Sequence, residues 1–315
     1  MDRKEFVSHD GKAIGICIWD DVESPKAVVQ IVHGMAEHVA RYDEFALELN
    51  KAGYIVFGDD HRAHGHTDPD RLGKAEPGKN LFEDTVKDLA ALTDEAKAKW
   101  GLPVLLFGHS YGSFLSQAYL TEYSDKIAAC VLSGSALYGK GLAGFSKFVA
   151  SRKAKKHADM PGKFFAKMTF ESYDKKVGEG HNAWLSRNAE SNKRYTEDPL
   201  CEFVCSNGFY KYLFTGLKKL AKTPYTVVRS DLPLFIIYGD ADHVGGCGKL
   251  TKKLVEKYIS SGLTVEEKAY PGARHELTNE TNRAEVYEDV IEFFDNVTSG
   301  KWNDIVREFD GEESE

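Results

Sequence analysis

Five short apolar runs and one mixed run, Thr264–Tyr270, punctuate the chain, and between them the apolar positions recur every three or four residues. Ala27–Val32, Tyr54–Phe57, Pro103–Phe107, Ala128–Leu132, Leu234–Tyr238 and Thr264–Tyr270 read as strands. Their lengths suit strands, and turn residues such as His33-Gly34, Gly58 and Gly239 close several of them. Tyr42–Ala52, Phe82–Trp100, Ser113–Tyr123, Gly248–Ser260 and Glu285–Val297 show helical spacing. Strands alternating with amphipathic helices predict an α/β fold: a mostly parallel sheet with helices on both faces. The acidic end Glu312–Glu315 reads as a frayed tail.

The alternation stops after the fourth run. From Tyr138 to Tyr225 there is no comparable strand pattern, and Phe145–Ala150, Phe164–Met168 and Tyr210–Leu220 look helical. The expected organisation is therefore a core of residues 1–137 and 226–315, interrupted by a helical cap at 138–225. Charge marks the same segment: it holds 17 Lys+Arg against 8 Asp+Glu, whereas the remainder holds 24 against 41. The cluster Arg152-Lys153-Ala154-Lys155-Lys156 lies between Phe145 and Phe148 on one side and Phe164 and Phe165 on the other. Such a surface suits a transient contact with an anionic membrane or head group; the alternative is a solvated lid.

The 315 residues are 42% hydrophobic and 29% charged, which excludes a disordered or collagenous chain. No run reaches the roughly 18 apolar residues of a membrane span, and the N-terminus lacks the apolar stretch of a signal peptide. A net charge of −8 argues against a general nucleic-acid binder. Five scattered cysteines (17, 130, 201, 205 and 247) argue against a disulfide framework and for a reducing, cytoplasmic compartment. Cys201 and Cys205 sit four apart with no neighbouring Cys/His cluster in sequence, so no zinc site is expected from them.

Gly108-His109-Ser110-Tyr111-Gly112 is a G-x-S-x-G pattern between an apolar strand and a helix. In that context the serine occupies a strained turn, and its hydroxyl projects at the edge of the sheet. A serine nucleophile needs a base, and the base needs an orienting acid. His275, after the last strand, is the candidate base; His181 and His243 compete but lack its place at a strand end. Asp240 and Asp242, both just after the strand Leu234–Tyr238, are candidate acids, and spacing does not choose between them. His33-Gly34 ends a strand, so the N–H of Met35, with that of Tyr111, is placed to bind an oxyanion. His64-Gly65-His66-Thr67-Asp68 imitates the opening of a metal-hydrolase site, but Pro69 follows where another histidine is wanted. No metal or organic cofactor is expected.

Taken together, His33-Gly34-Met35-Ala36-Glu37-His38 with Arg41-Tyr42, Asp60–Thr67, Gly108–Gly112, Gly239–Asp242 and His275-Glu276 resemble the monoacylglycerol lipase/lysophospholipase branch of the α/β-hydrolases, also called serine-aminopeptidase-like. The resemblance extends to Phe170–Tyr173, Trp184–Arg187 and Asp198–Cys201. It implies the α/β-hydrolase fold, Ser110 as nucleophile, Asp242 as acid, His275 as base, and Met35 with Tyr111 as oxyanion donors. Ala63 stands where the family usually has Gly and Thr67 where it usually has Ser, which bears on substrate shape. The implied activity is hydrolysis of a single-chain acyl ester, of monoacylglycerol or lysophospholipid type, through an acyl-enzyme. A short-chain or aryl esterase, a serine peptidase or amidase, and a non-catalytic binding protein of the same fold are the alternatives. The substrate-binding side chains are not legible. An Asp-nucleophile dehalogenase is excluded by Ser110.

Overall fold

The computed structural model describes residues 1–302 and 304; the acidic tail Glu312–Glu315 lies outside the described residues. An eight-stranded sheet runs in the order β1-β2-β4-β3-β5-β6-β7-β8. Its strands are β1 (Asp2–Val7), β2 (Ala13–Trp19), β3 (Ala27–Val32), β4 (Tyr54–Asp59), β5 (Val104–His109), β6 (Ala129–Ser133), β7 (Leu234–Gly239) and β8 (Val265–Tyr270). From β4 to β8 the pairing is parallel, whereas β1 and β2 run antiparallel at one edge. Every residue of β3 through β7 is buried, as expected of parallel strands covered on both faces. Gln30 in the middle of β3 is fully buried because both ends of its amide are satisfied, by the Leu89 carbonyl (3.1 Å) and the Thr93 hydroxyl (2.6 Å).

The helices α1 (Asp43–Lys51) and α10 (Arg283–Thr298) cover one face, burying Phe45, Leu49, Val290 and Phe293. The other face carries α2 (Leu81–Trp100), α3 (Tyr111–Tyr123) and α9 (Lys249–Ile259), with Leu89, Tyr119 and Tyr258 in the core. The expected strands and core helices recur within a few residues. The antiparallel pair β1 and β2 is an addition that the apolar runs do not reveal: β1 reads DRKEFV and is almost wholly exposed.

Between β6 and β7 the chain forms α4 (Lys140–His157), α5 (Lys163–Met168), α6 (Phe170–Val177), α7 (Ala189–Glu197) and α8 (Asn207–Leu220). The short helices α6 and α7 escape the apolar periodicity because neither has more than two buried residues. α8 packs against α4, and its Gly216 lies against the Phe82 ring of α2, where a Cβ would come within 2.4 Å. This helical layer stands over the C-terminal ends of the strands, where open α/β sheets place their ligands. Among the described residues no helix is long and apolar enough to cross a membrane.

Candidate active site

β5 hands the chain directly to α3 through Ser110, whose backbone sits at φ 52°, ψ −118°. A non-glycine residue at such angles costs on the order of 1–3 kcal/mol, which the surrounding structure must offset. The flanking glycines are dictated by contact: a Cβ on Gly112 would lie 2.0 Å from the Val32 carbonyl oxygen, and one on Gly108 would lie 2.2 Å from Ser116 Oγ. The Ser113 hydroxyl donates to the Ser110 carbonyl at 2.6 Å and fixes the turn.

Ser110 Oγ lies 2.8 Å from His275 Nε2, and His275 Nδ1 lies 3.0 Å from Asp242 Oδ2. The second oxygen of Asp242 accepts the Val244 N–H at 2.8 Å, so the carboxylate is held from both ends. Asp240 is exposed and accepts the Gly272 N–H at 2.6 Å, bracing the turn that leads to His275. The structure thus gives the two aspartates different partners, and only Asp242 meets the imidazole. Burial disfavours the charged form of His275, but the adjacent Asp242 carboxylate outweighs that and raises its pKa above the ordinary 6.5. His109, tilted against His275 with ring centroids 4.8 Å apart, is pushed down to about 3 by burial and by the neighbouring imidazole.

Met35 and Tyr111 both border Ser110 at one end of a cavity of about 350 Å³. The turn carrying Met35 is pinned by the Gly34 N–H, which donates to Glu37 Oε1 at 2.5 Å. Arg41 reaches Glu276 with two nitrogens at 2.7 Å each and also bonds Glu37, so one guanidinium ties the Met35 turn to the loop of His275. Burial opposes the charge on Glu276, but Arg41 holds its carboxyl down at about 2. Glu37 has the opposite balance: burial raises its pKa despite Arg41. Away from this polar end the cavity is lined by Phe114, Leu142, Phe145, Phe165, Phe214 and Leu217, from α3, α4, α5 and α8. Among the described residues no lysine or arginine lines it.

The remaining sequence candidates lie elsewhere. His181 is exposed and pairs with Glu202, and His243 Nδ1 lies 3.5 Å from Cys247 Sγ. In the H-x-H-x-D stretch, Asp68 accepts from Lys12 Nζ (2.9 Å) and from the Ala63 N–H (2.7 Å), so its carboxylate serves the loop. Ala63 adopts φ 65°, the left-handed conformation that favours the glycine usual at this position. Trp184, part of the family resemblance but given no role there, stacks its ring on His275 (5.2 Å, 30°) and on Phe170 (5.1 Å, 11°), forming one wall of the site. Local spacing does not reveal that contact, because His275 is 91 positions away in the chain.

Fold and site together define a hydrolase of the α/β-hydrolase class. The sequence profile of the serine aminopeptidase family S33 matches residues 23–282, and the chain belongs to that family. It is 29% identical over 289 residues to a monoacylglycerol lipase of Mycolicibacterium smegmatis, covering 90% of this chain and 94% of that one. A monoglyceride lipase of Mus musculus is 29% identical over 284 residues, 89% of this chain and 85% of the relative. Among solved structures, a thermostable carboxyl esterase of Bacillus coagulans in complex with glycerol superposes with a TM-score of 0.85 at 25% identity, covering 94% of this chain and 98% of the esterase.

Proposed function

We propose that this protein is a serine carboxylic-ester hydrolase that cleaves single-chain acyl esters through an acyl-enzyme. The observation that carries the proposal is the hydrogen-bonded line from Ser110 through His275 to Asp242 at the polar end of an otherwise apolar cavity. In this reading His275 Nε2 takes the Ser110 proton as Oγ attacks the ester carbonyl. Asp242 keeps the imidazole in its orientation and stabilises its charged form. The backbone N–H groups of Met35 and Tyr111 receive the oxyanion, and His275 returns the proton to the departing alcohol. Water, activated by the same histidine, then releases the acid. A long acyl chain would occupy the apolar part of the cavity, and its head group would face Glu37 and Glu276. The similarity to monoacylglycerol lipases favours a monoacylglycerol- or lysophospholipid-type substrate over a short-chain or aryl ester or a peptide.

We further propose that residues 138–225 act as a cap over Ser110. Its face bearing Phe145, Phe148, Phe164 and the Arg152–Lys156 cluster would make transient contact with an anionic membrane. Phe145 and Phe148 are exposed, and Arg152 and Lys153 stack over Phe148 and Phe164 at 5.6 and 5.0 Å. All five cysteines are free, which supports a reducing, cytoplasmic setting. The test of function is hydrolysis of p-nitrophenyl esters of graded chain length, then of a monoacylglycerol, a lysophospholipid and an amino-acid amide. Rising kcat/KM with chain length and turnover of a lipid monoester are expected. A preference for acetate esters or for the amide would overturn the substrate assignment.

A further inference from the structure

Beside the catalytic line, His38, Asp198 and Cys201 form a cluster with more ligating capacity than the fold consumes. His38 closes the turn that carries Met35, whereas Asp198 and Cys201 precede α8, with 160 residues between His38 and Asp198. Folding sets His38 Nε2 2.9 Å from Asp198 Oδ2, and one ligating atom of each of the three residues lies within 4.8 Å of the other two. His38 and Cys201 are each only 6% exposed. Asp198 is aimed by its backbone surroundings: its Oδ1 accepts the Leu200 N–H at 2.8 Å, and its carbonyl accepts the Cys201 N–H at 3.0 Å.

We propose that His38, Asp198 and Cys201 form a three-ligand site for a borderline-soft divalent cation of the zinc class, with the fourth position open to water. Around a tetrahedral ion with bonds of about 2.0–2.3 Å, ligand atoms stand about 3.3–3.6 Å apart, so side-chain rotation of roughly 1 Å completes the set. Imidazole and thiolate select zinc, cobalt or cadmium over magnesium and calcium, which want oxygen ligands. Binding releases the Cys201 thiol proton to solvent. Burial opposes that ionisation, and the ion supplies the compensating charge. Arg41 is close enough to repel a cation, and Asp198, Glu37 and Glu276 act on Cys201 with the opposite sign. The bound ion would tie the segment before α8 to the Met35 turn, beside the existing bond from the Glu202 N–H to the Ala36 carbonyl at 3.0 Å.

Cobalt(II) titration of the full-length protein tests this, because a thiolate–cobalt bond gives a near-ultraviolet charge-transfer band and a tetrahedral ion gives visible bands. One equivalent should bind, and zinc should displace it. Cys201→Ser and His38→Gln should abolish the band and weaken binding by more than about 100-fold, beyond the loss typical of a merely supporting partner. Cys247→Ser should leave it intact. Zinc should raise the Tm of the wild type and not that of Cys201→Ser. If Cys201→Ser fails to fold, Asp198→Asn decides through the same weakening. No band in the wild type, or a band lost with Cys247 and kept without Cys201, overturns the proposal; the latter result would assign the metal to the exposed His243–Cys247 pair.

Discussion

The helical segment between β6 and β7 divides into two parts joined to the core by different physics. Residues 179–202 are latched by polar bonds. Arg187 Nε pairs with the fully buried Glu280 at 2.9 Å, and Arg274 Nη2 pairs with Glu179 at 2.6 Å. Arg274 also donates to the Ala183 carbonyl (2.8 Å), and the Glu276 N–H donates to the Leu185 carbonyl (2.7 Å). Arg274 and Glu276 flank His275, so this part is built into the loop of the proposed base. Residues 140–177 instead lean on aromatic packing, and among the described residues their one ion pair to the core is Arg71–Asp159 at 3.9 Å. They also expose Leu142, Phe145, Phe148, Phe164 and Met168. On the proposed function, the contrast would separate holding the chemistry in register from admitting the substrate: directional bonds fix one part, and non-directional apolar contacts hold the other.

The largest effect expected lies on the fixed side. Ser110→Ala should lower kcat by on the order of 10⁴–10⁶ with Tm preserved, and His275→Ala by a similar factor, the double variant costing little more. Near-wild-type turnover by purified Ser110→Ala, or equal labelling of both proteins by a fluorophosphonate, would remove the mechanism and the contrast with it. Asp242→Asn should lower kcat by about 10⁴, because the imidazole loses its orienting acceptor. Asp240→Asn should fall far short of that, its carboxylate meeting the Gly272 N–H. Because Asp242 raises the His275 pKa above 6.5, kcat/KM should decline as pH falls through a limb above that value. In Asp242→Asn the residual activity should show that limb at lower pH, and an unmoved limb would assign it to another group.

The parts of this picture that could be read from sequence are those written locally. β3 is six consecutive buried residues, and the Ser110 turn announces itself by Gly108 and Gly112, each two residues from the serine, although the atom that demands the second glycine is the distant Val32 carbonyl. β1 could not be read the same way, since as an exposed edge strand it needs no apolar face. Spacing does not separate the two aspartates because they share one turn; the family resemblance implies Asp242, and the fold sets that residue against the imidazole. Trp184 and the latches Arg187–Glu280 and Arg274–Glu179 join residues some ninety positions apart. Long-range polar pairing leaves no periodic trace.

Loosening a latch should cost less than removing a catalytic group. Glu280 accepts the N–H groups of Arg274, Arg187 and Thr281 as well as the Arg187 guanidinium. Burial raises its pKa, but these donors overcome that and hold it below the ordinary 4.5. Glu280→Gln should therefore lower stability by about 2–4 kcal/mol, toward the low end because Arg187 is one-third exposed and keeps access to water. The stability that Glu280 supplies is present above pH 4.5 and is lost as pH falls through its lowered value, so the variant and the wild type should converge in acid. A denaturation series across pH checks this. Equal stability at neutral pH would show that the latched part is no better fixed than the apolar one.

The smallest effect belongs to the apolar part and is visible only at a surface. Arg152, Lys153, Lys155 and Lys156 are exposed on α4 beside the rings of Phe148 and Phe164. Each such charge near an anionic membrane is worth about 1 kcal/mol, screened within a Debye length of about 8–10 Å. They share one face of the helix opposite the buried Ala154 but spread over about 160° of its circumference, so about two can touch a flat surface together, giving roughly 1–2 kcal/mol or about a tenfold change in partitioning. Replacing all four by Gln should weaken sedimentation with phosphatidylserine vesicles by that factor at low salt and flatten the salt dependence. Turnover of a soluble p-nitrophenyl ester should be unchanged, because none of the four lines the cavity. Phe145→Ser and Phe148→Ser should weaken vesicle binding at every salt concentration, since the apolar contribution is not screened. Wild-type protein that ignores the vesicles at low salt, or a quadruple variant that binds as well, would reduce this face to a solvated lid and leave the two parts differing in rigidity alone.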